Sequence, residues 1–337
     1  MNLIWQFLKK FKSQILSGIA FILFGIVVIA ILAQFTNFPK VLRLIAQTPG
    51  RINLLIFIFL ALYYFFKFQV ERFLISKLDL KVTTKRVALL FAVAETAREF
   101  PAIPILAGIV AATKHGERFF PLKMFSALIS QLPLELASCF LILSIFGFGN
   151  LPFFKLASFL VFVLIFIFLF ALKTISVPKF LTRAKVGIKH KIGKALLNLK
   201  EGLAQILIWQ NLLISFLFIF SYILALSTVL FFVAQASGFD ELSITGAWSS
   251  FALIYIALVF SPFPADWGVS EPSGFVLLSF LGASSEVALA SMLTFRIIFS
   301  TATYLIVGTV VWFLWSEIRD FITSFLNSEK KLQPANV

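Results

Sequence analysis

The sequence predicts an all-α polytopic membrane protein with about seven or eight transmembrane helices, two of the segments broken or re-entrant, and an internal inverted repeat as a candidate organisation. Three observations predict it. Hydrophobic residues make up 60% of the 337 and charged residues only 13%, about half the charged share of an ordinary soluble domain. The apolar residues fall in runs near the length that crosses a bilayer, about 20 residues. Two further apolar stretches, one in each half of the chain, are interrupted by prolines and ionisable residues. No run alternates with the period of two that a barrel strand needs, so the spanning elements are helices, which satisfy their own backbone in lipid.

Taken in order, Lys9, Lys10 and Lys12 precede the apolar run Ile15–Ala33. That run is too long for the core of a signal peptide and lacks a small-residue cleavage site, so it reads as the first span. Ile52–Phe66 is the second. Val87–Ala112 is apolar at both ends, but its middle holds Glu95, Arg98, Glu99, Pro101 and Pro104. Proline removes a helical N–H and clashes with the preceding turn, so this stretch reads as a re-entrant hairpin. Phe125–Ile145 and Ala157–Ala171 follow. The basic segment Lys173–Lys200 comes next; within Val177–Leu203, Phe180, Leu181, Val186, Ile188, Ile192, Leu196 and Leu197 recur at helical spacing and predict an amphipathic helix on the inner leaflet. Leu212–Phe232 and Trp248–Phe260 are spans. The second break runs through Ser261–Leu281 with prolines at 262, 264 and 272, and Val287–Trp315 is the last span. The chain is thus one membrane domain: a first half at 1–172, a basic connection at 173–203, a second half at 204–315 and a short tail at 316–337.

The net charge of +14 does not point to nucleic acid, because the positive residues flank apolar runs and none lies between Lys200 and Arg296. Such charges set orientation and meet anionic headgroups. They place the N-terminus and the basic loops Lys67–Arg86 and Lys173–Lys200 on the cytoplasmic side of a plasma membrane, and the loop bearing Asp240 and Glu241 opposite. One cysteine, Cys139, and two histidines, His115 and His190, exclude a disulfide framework and argue against a metal centre. No cofactor motif and no catalytic constellation is expected.

Arg296 is the sharpest signal, the only Lys or Arg between Lys200 and Arg319. An arginine at mid-membrane costs about 2.5–3.5 kcal/mol on insertion scales, so it needs a partner. The candidates are Glu271 and Asp266 in the break and Glu286 on the same helix. A guanidinium fork also suits a phosphate. In the first half, Glu95, Arg98 and Glu99 share one helical face, where Glu95 and Arg98 can pair. Gln131 and Glu135 share a face of the next span, with Pro133 between them. Glu135 is expected to face the interior, within reach of Arg98. Trp267 reads either as a headgroup wall or as packing.

These residues carry a resemblance. The run Ser261-Pro262-Phe263-Pro264-Ala265-Asp266-Trp267-Gly268-Val269-Ser270-Glu271, followed by Arg296 in the next apolar helix, resembles the lysylphosphatidylglycerol synthase transmembrane region family. Pro264, Gly268, Glu271 and Arg296 match the positions of that family's second-half motif, while Ala265 and Asp266 stand where it has paired glycines. Glu95 and Arg98 match its first-half charges, with Ala94 in place of a glycine. Its acidic pair on the next helix corresponds to Gln131 and Glu135. The resemblance implies a stand-alone flippase-like protein, without the family's soluble aminoacyl-transfer domain. Its partners would be membrane lipids, either an anionic phospholipid or a polyprenyl phosphate. The headgroup cavity would be formed by Arg296, Glu271, Asp266, Gly268, Trp267, Glu95, Arg98, Glu99 and Glu135. Two alternatives stay open: an integral membrane enzyme using Glu271 or Asp266 as general base, and an accessory subunit of cell-envelope lipid or glycan synthesis. Self-association and an envelope-synthesis partner are equally open.

Overall fold

The computed structural model describes residues 12–48, 52, 54–78, 82–99, 120–147, 151–174, 188–261 and 268–313. Among these residues the secondary structure is helical, with no strand. In chain order the helices are α1 (Lys12–Gln34), α2 (Phe38–Gln47), α3 (Leu54–Ser76), α4 (Thr84–Glu99), α5 (Phe120–Phe146) and α6 (Pro152–Thr174). They continue with α7 (Ile188–Ile206), α8 (Trp209–Ala236), α9 (Ile244–Val259), α10 (Ser270–Phe280) and α11 (Ser285–Phe313).

Four helical segments among the described residues are long and apolar enough to cross a membrane: Leu54–Ser76, Pro152–Leu172, Trp209–Ala236 and Ser285–Val310. The pair Leu23–Gln34 and Phe38–Gln47, bent by 110°, brings the count to five if it is one span. This is fewer than the sequence predicts, and helix length is part of the reason. The 16 residues of α9 extend only about 24 Å at 1.5 Å per residue, short of a hydrocarbon core of about 30 Å.

The bundle is organised around α8. Its apolar window is 61% buried, against 11% for α6 at the periphery, and it packs on α3, α5, α9 and α11. Two of its hydroxyls are satisfied locally: Ser227 and Thr228 donate to the carbonyls of Ile223 and Leu224 at 2.6 and 2.8 Å, which returns both donors to their own helix. The Trp248 indole N–H donates to Thr228 Oγ1 at 3.0 Å and ties α9 to α8. Ser249 donates to the carbonyl of Phe146 at 2.9 Å, so α9 also satisfies a carbonyl left open at the end of α5.

Several boundaries differ from the sequence reading. Helix α3 runs ten residues beyond Phe66, because Val70, Leu74 and Ile75 continue its buried face. Lys67 is therefore inside a helix and buried, not the start of a basic loop. Helix α4 covers the first part of the stretch Val87–Ala112 expected to be a re-entrant hairpin, and its remainder at 100–112 lies outside the described residues. The amphipathic connection is helical from Ile188, and its earlier part, 175–187, is likewise outside them. One element was not expected. Asn37 Oδ1 accepts from the Lys40 N–H at 3.3 Å and Pro39 sits in the first turn, which starts α2 as a short amphipathic helix. Its buried Val41 packs with Leu289 and Ala290 of α11. Lys40 pairs with Glu286 at 3.5 Å.

Helices α10 and α11 approach closely at Gly274, where an added Cβ would lie 2.2 Å from Met292 Sδ and 2.8 Å from its Cγ. Gly274→Ala should destabilise the purified protein by about 1–3 kcal/mol, the usual cost of overpacking, in denaturant titrations in detergent. Shortening the facing side chain with Met292→Ala should restore most of that loss. An equal penalty in both backgrounds would show that this contact is not the cause.

Candidate functional site

The second break ends at Gly268, whose φ of +80° is a conformation that glycine adopts without steric cost. Glu271 follows in the first turn of α10. Its Oε2 accepts the Gly268 N–H at 2.9 Å, and its position at a helix N-terminus suits a negative charge. The other oxygen, Oε1, faces Arg296 of α11, with Nε 3.7 Å away. Glu271 is 0% exposed and Arg296 7%. The ion pair expected from the sequence is present, and one carboxylate joins three things: the end of the break, the start of α10 and the buried cation of α11. Ser270, Tyr255, Met292, Phe295, Phe299 and Arg296 border a pocket of about 30 Å³, room for one or two water molecules.

A second buried ion pair was not anticipated. Lys67 of α3 bonds Glu95 of α4, and both are 3% exposed. The sequence reading paired Glu95 with Arg98; the described partner is Lys67. A buried cation on the facing helix must be neutralised, and Glu95 does this for Lys67. Lys67 also donates to the Tyr63 hydroxyl at 3.1 Å. Arg98 and Glu99 fall in the last turn of α4, and their side chains lie outside the described residues, as do Asp266 and Trp267. Glu286, weighed as a partner for Arg296, bonds Lys40 and the Asn37 N–H instead.

Glu135 of α5 is buried, as expected. Its Oε1 accepts from Gln131 Nε2 at 2.9 Å and from the Tyr222 hydroxyl of α8. The expected meeting with Arg98 falls outside the described residues. Tyr222 in turn presents its ring to Tyr63 at 5.7 Å between centroids. Tyr63 also contacts Tyr64 at 4.8 Å and Phe299 at 5.6 Å. An aromatic layer therefore stands between the two ion pairs. Lys67, Tyr63 and Tyr222 were missed by sequence reasoning. The available signal was an apolar face that continues past Lys67 to Leu74, which makes a loop there unnecessary. Among the described residues, no three His, Cys, Asp or Glu side chains come together to hold a metal ion.

The class this defines is a helical chain with several long apolar helices, as in a multi-pass membrane protein, carrying buried ion pairs on facing helices. Comparisons with protein-family models, with curated proteins and with solved structures return no match. The functional argument therefore stands on the residues themselves.

Removing Arg296 alone strands Glu271 in the interior, and breaking a buried pair from one side costs about 3–5 kcal/mol. Arg296→Met should lose that much in unfolding titrations, while Arg296→Met combined with Glu271→Gln should recover a large part. The glutamine keeps an acceptor for the Gly268 N–H without the charge. Additive losses in the double variant would mean that the two side chains do not act as a pair.

Proposed function

We propose that this protein is a flippase-like lipid transporter that moves a phosphate-bearing lipid, an anionic phospholipid or a polyprenyl phosphate, between the leaflets of a plasma membrane. The observation that carries this reading is a buried arginine on a membrane-length helix, paired with the carboxylate that follows a helix break and bordering a small pocket. Intramembrane cations of this kind commonly mark a substrate path. A guanidinium binds phosphate in a bidentate manner, and Glu271 holds the cation when no phosphate is there. The cavity of about 30 Å³ is far below the roughly 300 Å³ of a small-molecule site. In this reading it is the closed form, and admission of a headgroup requires α10 to move away from α11.

The finer architecture belongs to the same proposal. The chain has seven or eight spans, with the N-terminus and basic segments cytoplasmic. The interruptions expected near 100–104 and 262–268 are corresponding parts of an inverted repeat. Both carry Phe-Pro-Ala, at Phe100–Ala102 and Phe263–Ala265, and paired broken helices are the usual site of substrate binding in repeat-built transporters. The resemblance to the lysylphosphatidylglycerol synthase transmembrane region supports this assignment through Gly268, Glu271 and Arg296.

In proteoliposomes the wild-type chain should speed leaflet exchange of a labelled anionic lipid and leave that lipid chemically unchanged. Arg296→Lys should retain part of the rate, because an ammonium keeps the charge but not the fork. Arg296→Leu, checked for folding by its melting curve, should fall to the protein-free rate. A folded Arg296→Leu protein that exchanges lipid as fast as the wild type would sink the proposal, as would covalent alteration of the lipid.

A further inference from the structure

We infer that helix α2 is an interfacial docking surface for anionic phospholipid, with Arg43 as the residue that takes the headgroup phosphate. This goes beyond transport at Arg296 and does not depend on it; it needs only that the long apolar helices cross a bilayer. The placement of α2, the make-up of its outer face and the state of its cations support it.

The chain turns by 110° between the end of α1 and α2, so α2 runs across the end of that helix instead of prolonging it. Its ten residues extend about 15 Å, half the depth of a hydrocarbon core of roughly 30 Å. Its inner side packs Val41 on Leu289 and Ala290, in the second turn of the membrane-length segment that begins at Ser285. Glu286 fixes it there, pairing with Lys40 at 3.5 Å and accepting the Asn37 N–H at 3.4 Å. Helix α2 is therefore held where a membrane-length helix begins, at the boundary between hydrocarbon and headgroups. Arg296 lies about seven residues further along α11 than Leu289, or roughly 10 Å deeper, so α2 and the buried pair stand at different levels.

The outer face has the mixed chemistry of an interfacial helix. Leu42, Arg43, Ala46 and Gln47 are exposed, Leu42 at 52%, and Phe35, just before the helix, is exposed at 71%. Leu42 and Ala46 are one turn apart, with Arg43 beside them. Acyl chains can cover Phe35 and Leu42, while the arginine lays its stem along that apolar surface and lifts its guanidinium to headgroup level. The two cations differ in availability. Lys40 is engaged by Glu286, although its side chain is 54% exposed. Arg43 is exposed and, among the described residues, pairs with no carboxylate, so nothing has to be displaced before a phosphate meets it. A guanidinium fork fits two phosphate oxygens, and a basic residue at this level is drawn to an anionic leaflet. An anionic phospholipid satisfies both halves of the face at once, with its tails on Phe35 and Leu42 and its phosphate on Arg43. Free phosphate would leave the apolar half uncovered.

The test uses the full chain carrying Leu42→p-benzoylphenylalanine, in nanodiscs of phosphatidylglycerol and phosphatidylcholine in equal parts. Irradiation links that residue to its neighbours, and mass spectrometry of the adducts identifies them. Lipid adducts are expected, with phosphatidylglycerol enriched roughly fivefold over phosphatidylcholine, the effect of one surface cation. Arg43→Gln should bring the ratio close to that of the bulk lipid, and Arg43→Lys should keep part of the enrichment, because the charge stays and the fork is lost. Both positions are exposed, so neither change threatens the fold. Adducts to a second copy of the chain would assign the face to self-association and overturn the inference, as would an absence of lipid adducts. Equal linkage to the two lipids in the parent, or an enrichment that Arg43→Gln leaves unchanged, would overturn it too. The lipid-exchange assay of Arg296→Leu reads the transport proposal separately, so either can fail alone.

Discussion

The arrangement depends on one constraint: a charge placed inside a hydrophobic bundle must meet its opposite there. Arg296 lies in the membrane-length part of α11, where neither the surrounding side chains nor lipid tails can solvate a guanidinium. Glu271 meets it from α10. For that carboxylate to arrive, a helix has to begin within the bundle, which requires a break before it and a residue such as Gly268 to turn the chain. The same carboxylate then holds the break through the Gly268 N–H. Local backbone, helix start and tertiary pairing follow from one buried charge.

The rest of the interior obeys the same rule by different means. Lys67 is neutralised by Glu95 and shares a hydrogen bond with Tyr63. Glu135 is served by two neutral donors, Gln131 and Tyr222. Ser227 and Thr228 of α8 fold back onto their own helix's carbonyls, and Thr228 also accepts from Trp248 of α9. Polar groups are thus concentrated where α3, α5, α8 and α11 converge, and the outer faces are left to apolar residues such as Phe153, Leu164 and Phe168 of α6. A bundle built this way keeps its chemistry central and its periphery suited to lipid.

Much of this was legible in the sequence, for identifiable reasons. Long apolar runs give helices because the backbone has no other way to satisfy itself in lipid, and α6, α8 and α11 lie close to where those runs predict them. Arg296 stood out because nothing basic surrounds it, and Glu271 because it is the carboxylate next along the broken segment. Lys67 was not legible in the same way. Other basic residues follow it, so the positive-inside pattern assigned it to a loop, although the apolar face of α3 continues beyond it. The pairing of Glu95 with Lys67 was hidden because it crosses from one helix to another, whereas helical spacing points only to partners on the same helix, such as Arg98. Helix α2 escaped notice because its alternation of Lys40, Val41, Leu42 and Arg43 is too short to mark a span. Its role appears only when Val41 meets Leu289.

The claim that the interior is organised by a buried Arg296–Glu271 pair is most directly tested by solid-state NMR of the full chain in lipid bilayers. The measurement is through-space transfer between the Arg296 guanidinium nitrogens and the Glu271 side-chain carboxyl carbon. The account predicts a direct correlation in the wild type, lost when Glu271→Ala removes the carboxyl carbon. A guanidinium that instead correlates only with bulk water or with lipid headgroups, and is unaffected by that substitution, would contradict it.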